Sequence, residues 1–130
     1  DDCHRLKEKL EQMAHQAGLG TRQRPVQGQF QVINRIAIEE LEAWFFGDWD
    51  AVRVAYPKVD STVPKKAGYR DPDAVKGGTW EAMERELQKK GYFRQGLRKL
   101  ELARSVASHM DPARNRSQSF CCLRDALAQL

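Results

Sequence analysis

The chain of 130 residues is 41% hydrophobic and 31% charged, with a formal net charge of +4, which indicates one globular domain and excludes a disordered chain. No run approaches the roughly 20 apolar residues of a membrane span and no signal-peptide core is visible, so we expect a cytoplasmic protein without membrane partners. The charge is uneven, since residues 1–50 hold six Lys/Arg against nine Asp/Glu, and residues 51–130 hold sixteen against nine.

Residues 2–18 are predicted to form the first helix, because Leu6, Leu10 and Met13 recur on one helical face. An aspartate pair begins the chain and suits the N-cap position. Gly18 is expected to end the helix.

Residues 29–38 give the one convincing strand signal, since Phe30, Val32 and Ile36 follow an alternating pattern. A single strand cannot form a sheet, so its partners are expected in preceding residues or in another chain. The helix–loop–strand–helix order of residues 1–47 is typical of the closing part of a parallel sheet. We therefore expect a helix-rich α/β fold and a chain that is the C-terminal portion of a longer protein.

The second predicted region, residues 48–130, is helical. The helices predicted after the strand cover residues 39–46, 49–56, 79–90, 97–110 and 117–129. Residues 57–78 between them are rich in proline and glycine and are predicted to form a long irregular loop. Loops of this length are usually functional or docked on a partner.

Two acidic clusters are predicted to share one rim of the sheet. Asp1 and Asp2 would follow a missing strand, and Glu39 and Glu40 follow the predicted one. Such clusters repel each other unless a cation lies between them, and carboxylates suit Mg²⁺ or Mn²⁺, ions that support phosphoryl transfer. Glu42 shares a helical face with Glu39. Alternatively, these acids only favour helix starts through the helix dipole.

Three segments resemble one bacterial family. Arg35-Ile-Ala-Ile-Glu-Glu-Leu-Glu-Ala-Trp44, followed by Asp48, resembles the central signature of domain of unknown function 4276, which is grouped with Toprim-like proteins. Asp2–Lys7 resembles the segment after that family's aspartate motif. Asn115–Phe120, followed by Leu123, resembles its closing motif.

The resemblance implies a Toprim-like metal-dependent nuclease or phosphoryl-transfer component that acts with an ATPase, in phage defence. It assigns metal binding to Asp1, Asp2 and Glu39, and catalysis to Glu39, Glu40 and Glu42. A Toprim site also needs a glutamate from its first strand, which this sequence does not contain. We therefore expect the full-length protein to be active and this chain alone to be inactive.

The basic second region is predicted to contact DNA or RNA through phosphate, by counterion release. The candidate phosphate-binding residues are Lys65, Lys66, Arg70, Arg94, Arg98, Arg114 and Arg116. Tyr92 and Phe93 are candidates for stacking on bases. The alternative is a solvated face on which the basic side chains are balanced by nearby glutamates.

A second hypothesis is a non-catalytic interaction module that docks on an ATPase or forms a homodimer. In that case the acids are helix caps, and Trp44, Trp49 and Trp80 belong to the core. The three cysteines are expected to be reduced thiols, because their number is odd and no metal-binding spacing is present.

Overall fold

A computed structural model describes residues 2–37 and 39–129. Within them six α-helices follow one another: α1 Cys3–Gln16, α2 Glu42–Gly47, α3 Trp49–Ala55, α4 Thr79–Gln88, α5 Lys99–Ala107 and α6 Gln118–Leu127. The helices predicted from spacing and capping signals are confirmed, with ends that differ by up to three residues. None of these helices is both long and apolar enough to cross a membrane.

The predicted parallel sheet is wrong. In the described part of the chain the β structure consists of two isolated bridges, Thr21 with Val32 and Val26 with Gln29. Residues 33–37 have half-buried side chains but make no backbone hydrogen bonds to other described residues. Alternating hydrophobicity indicates a segment with one buried face, whereas a strand also requires a second strand to pair with. The last residue of the predicted strand, Ile38, lies outside the described residues.

The structure contains two compact units. The first comprises the residues up to Ile36 together with those from Cys122 onward, and the second comprises Ala37–Cys121. The boundary therefore falls inside α6. The predicted regions 1–47 and 48–130 are distinguished by fold type, whereas these two units are distinguished by compactness. The predicted division therefore stays a prediction.

In the first unit, α1 begins at a side-chain cap. The Asp2 carboxylate accepts hydrogen bonds from the backbone N–H groups of His4, at 3.0 Å, and Arg5, at 3.3 Å. Gly20 then holds the following loop, since its carbonyl accepts from the N–H groups of residues 31 and 32 and its N–H donates to the Gln31 side chain. A Cβ atom at Gly20 would lie 2.5 Å from the carbonyl oxygen of Gln29, so only glycine fits there.

The second unit has one hydrophobic core centred on α2. Phe46 of α2 is fully buried and stacks on Trp49 of α3, with ring centroids 5.4 Å apart, and on Tyr69, at 5.2 Å. Met83 and Leu87 of α4 are buried in the same core. This arrangement fixes the residues that follow α2 against the rest of the unit.

The irregular segment predicted at residues 57–78 is built into that core. It contains three short 3₁₀ helices, Val63–Lys65, Ala67–Tyr69 and Pro72–Ala74. Val59, Val63 and other apolar side chains of the segment are buried. The segment therefore places its basic and acidic side chains on a fixed backbone.

Candidate functional site

Glu40, one of the predicted catalytic acids, caps a helix. Its Oε2 accepts hydrogen bonds from the backbone N–H of Trp80, at 3.0 Å, and the hydroxyl of Thr79, at 3.2 Å. Its Oε1 lies 3.4 Å from Nζ of Lys99. The residue before α4 is Gly78, which has no side chain to cap the helix. Glu40 therefore supplies the acceptor that the start of α4 lacks.

Glu39 and Glu42 do not share a helical face, contrary to the prediction. α2 begins at Glu42, three residues later than expected, and Glu39 precedes it with a φ of +65°. Glu39 is exposed, whereas Glu42 is buried. Burial raises the pKa of Glu42 above the ordinary value, with Glu40 and Glu81 adding repulsion and Lys99 opposing the rise. The two side chains thus differ in exposure to solvent.

The described acids do not converge on a site for a Mg²⁺ or Mn²⁺ ion. Among the described residues, no group of three or more His, Cys, Asp or Glu side chains is positioned to hold a metal. Asp2 is occupied as the cap of α1, Glu40 is held by the donors of α4, and Glu42 is buried. Asp1 lies outside the described residues. The metal and catalytic assignments stay predictions.

The seven predicted phosphate-binding residues do not form one site. Three of them line a cleft, and four lie outside it. Lys66 pairs with Glu86 at 2.9 Å, and Arg98 pairs with Glu101. The guanidinium of Arg70 donates to the backbone carbonyl of Lys65, at 3.2 Å. The side chain of Arg94 is exposed.

The remaining three, Lys65, Arg114 and Arg116, line one cleft of about 300 Å³ in the second unit. Asp48, between α2 and α3, and Asp50, in the first turn of α3, form another wall of this cleft. The structure thus brings together basic residues that are about 50 positions apart in the sequence. We call this site the basic cleft.

Arg114 is fixed at the basic cleft by a buried carboxylate. Asp48 is 1% exposed, and it accepts hydrogen bonds from Nε of Arg114, at 2.6 Å, and Nη2, at 3.0 Å. It also accepts from the backbone N–H of Asp111, at 2.7 Å. The hydrogen bonds to Asp48 raise the pKa of Arg114 above its ordinary value. A planar two-point contact of this kind sets the orientation of a guanidinium.

The segment that carries Arg114 and Arg116 is tied to α2 by Asn115. The Asn115 side chain donates to the backbone carbonyl of Trp44, at 2.8 Å, and accepts from the N–H of Ser117, at 2.9 Å. The N–H of Arg116 donates to the carbonyl of Gly47, at 3.0 Å. These hydrogen bonds fix the backbone of the two arginines against α2.

Asp73 links Ser117 and Ser119 in the same hydrogen-bond network. It accepts from the hydroxyl groups of Ser117, at 2.8 Å, and Ser119, at 2.9 Å, and from the N–H of Ser119, at 3.0 Å. The indole N–H of Trp44 donates to the Ser119 hydroxyl, at 2.9 Å. Each polar group that this network buries therefore has a partner, as a stable buried network requires.

The segments that resemble the central signature and the closing motif thus meet in one network. A family model described as Domain of unknown function (DUF4276) matches residues 1–130. The chain belongs to this family. No curated protein and no solved structure matches the chain. The family expected from the sequence is confirmed, and the Toprim-like relationship stays an expectation.

For this DUF4276 chain, sequence reasoning misses the residues that organise the basic cleft. The sequence marks Asp48 only as part of the signature and as a helix cap, and it gives no reason to select Asp73. An aspartate after a helix-ending glycine is a capping signal, and Asp48 does accept from the N–H of Ala51 in α3. Its pairing with Arg114 leaves no signal in a single sequence.

Proposed function

We propose that the second unit binds the phosphate backbone of DNA or RNA in the basic cleft. The observation that carries the proposal is the convergence of Lys65, Arg114 and Arg116 on one cleft, with Arg114 oriented by the buried Asp48. A guanidinium that is already oriented loses little conformational entropy when it contacts a phosphate.

The charges lining the cleft favour an anionic ligand. Asp48 is paired with Arg114, and the Asp50 carboxylate lies 3.8 Å from the guanidinium of Arg53. Lys65 and Arg116 are exposed, and neither forms an ion pair with a described residue. Their two positive charges are therefore left for a ligand, and phosphate oxygens suit both side chains.

The surrounding charge supports attraction over a longer range. Residues 51–130 hold sixteen Lys/Arg and nine Asp/Glu, so the region that contains most of the cleft is basic as a whole. Such an excess draws polyanions toward the surface and makes their binding sensitive to salt. A duplex or single strand would place one or two phosphates in the cleft and others near it.

Binding is tested by fluorescence anisotropy with a labelled duplex and a labelled single strand at several salt concentrations. The double variant Lys65→Ala/Arg116→Ala is expected to bind at least about tenfold more weakly and to lower the salt slope on duplex by about 0.9 for each phosphate that is no longer neutralised. The matched control is Lys76→Ala/Arg104→Ala, which removes the same charge at positions outside the cleft lining. Equally weakened binding in both variants would reduce the effect to net charge and contradict the proposal.

The activities implied by the Toprim-like resemblance are separate from this proposal. Metal-dependent cleavage, an ATPase partner, a role in phage defence and a homodimer stay predictions. Phosphate binding by the basic cleft requires none of them. A non-catalytic module that only positions nucleic acid is compatible with the same contacts.

A further inference from the structure

A small cavity lies in the first unit, between α1 and the segment that follows it. It measures about 20 Å³ and is lined by Lys7 and Glu11 of α1 and by Asn34, Arg35 and neighbouring residues. Glu11 is only 5% exposed. Two buried atoms of the lining residues, Oε2 of Glu11 and Nε of Arg35, have no hydrogen-bond partner among the described residues. Buried polar atoms in native proteins are almost always paired, with water where protein groups do not reach.

Glu11 acts here as a charged acceptor. Its Oε1 accepts a hydrogen bond from the side-chain amide of Asn34, at 2.9 Å. Burial alone would raise the pKa of Glu11, but the side chains of Thr21 and Asn34 and the charge of Lys7 lower it below the ordinary value. The carboxylate is therefore ionised at neutral pH, and Oε2 is an acceptor only.

The two unpaired atoms restrict the chemistry of an occupant. Oε2 of Glu11 needs a donor, and the Nε–H of Arg35 needs an acceptor. A metal cation offers no acceptor to Arg35, and a halide offers no donor to Glu11. A water molecule is both donor and acceptor, and a cavity of this size holds one water and little more.

We propose that one water molecule occupies this cavity and bridges Oε2 of Glu11 to Nε of Arg35. The two oxygens of Glu11 then anchor two consecutive residues to α1, Asn34 directly and Arg35 through water. These anchors act on residues 33–37, which make no backbone hydrogen bonds to other described residues. Side-chain and water contacts thus take the place of backbone pairing in this segment. The inference is independent of phosphate binding, which concerns the other unit.

The water is expected to exchange with solvent on one side. An open cleft of about 290 Å³ shares Lys7, Glu11 and Gln23 with the cavity. Exchange through this cleft would be slow relative to surface hydration, because the cavity itself is narrow and its two polar anchors hold the molecule.

The test is NMR on protein with ¹⁵N-labelled arginine, with the Arg35 Nε–H signal assigned by its disappearance in Arg35→Lys. We expect a cross-peak between this signal and the water resonance, with the sign of a long-lived bound water. A crystal structure at about 1.5 Å should show one density peak within about 3.2 Å of both atoms, the upper limit of a good hydrogen bond. A direct hydrogen bond to Oε2 of Glu11 from Thr21 or Arg35, a dry cavity, or a metal or halide at the peak would overturn the proposal.

Discussion

The carboxylate of Asp48 and the guanidinium of Arg114 form a two-point ion pair across 66 positions of the sequence. The Asp48 side chain is completely shielded from solvent, whereas the Arg114 side chain is 42% exposed. The carboxylate therefore depends on this pair, while the guanidinium keeps one side toward the basic cleft. One contact both satisfies a buried charge and positions a candidate ligand-binding group.

Arg114→Ala is expected to lower the free energy of unfolding clearly, because it leaves the buried Asp48 carboxylate without its counter-charge. The matched control is Arg116→Ala, from the same segment, whose side chain makes no ion pair with a described residue. Urea denaturation followed by tryptophan fluorescence measures both. Equal, small decreases in stability would show that Asp48 does not depend on Arg114.

Gly47→Ala is expected to destabilise the second unit, although alanine normally favours a helix over glycine. A Cβ atom at position 47 would collide with Oδ1 of Asn115 and lie 2.8 Å from the N–H nitrogen of Ser117. Such crowding typically costs about 1–3 kcal/mol of unfolding free energy. Thermal denaturation measures the decrease.

The control for this substitution is Gly68→Ala, because a Cβ atom at Gly68 would meet no atom within 4 Å. It should leave stability unchanged or raise it by up to about 1 kcal/mol, since alanine restricts the unfolded chain. Similar behaviour of the two variants would mean that the segment around Asn115 moves freely away from α2.

Glu40→Ala is expected to cost about 1 kcal/mol of unfolding free energy, the usual effect of removing a helix cap. Glu39→Ala, at the exposed neighbouring position, should change stability by no more than about 0.5 kcal/mol. The same positions separate structure from catalysis in an assay of plasmid cleavage by the full-length protein with manganese. Abolished cleavage in Glu39→Gln at unchanged stability would favour the catalytic assignment of these acids.

Glu42 should make stability depend on pH. Burial raises its pKa in the folded state, so its favourable contribution is complete below the unfolded value of about 4.3 and is lost as pH rises through the folded value. Glu42→Gln stays neutral at every pH. It should match the natural protein near pH 4 and be more stable than it at about pH 8.

Urea denaturation at several pH values measures this difference. The control is Glu8→Gln on the exposed surface of α1, which should shift stability little and equally at both ends of the range. A Glu42→Gln curve parallel to that of the natural protein would show that the buried side chain is not the source of the dependence.

The sequence is sufficient to predict the helices, but it is insufficient to predict which distant residues they contact. Spacing and capping residues predict α1 and α3–α6 closely, because those signals act within one or two helical turns. The alternating pattern in residues 29–38 coincides with side chains that are at most half-buried where the structure describes them, and strand pairing requires residues elsewhere. The same limit hides the contact between Asp48 and Arg114.

The charged residues show the limit most clearly. Lys65 and Lys66 are adjacent and are predicted to have the same role, yet Lys65 lines the basic cleft while Lys66 pairs with the buried Glu86. Composition counts both as equal positive charges. The two residues differ in the direction in which each side chain extends from the backbone. Packing of the segment on the core sets that direction.

The ties between α2 and the residues from Asp111 to Ser119 have a consequence for synthesis. A nascent chain that has emerged only through α5 contains nearly the whole hydrophobic core of the second unit, but it leaves Asp48 and Asp73 without Arg114, Ser117 and Ser119. The unit would therefore remain loose on the ribosome until its final residues appear. Those residues would complete the hydrogen-bond network last and convert a collapsed chain into a uniquely folded one.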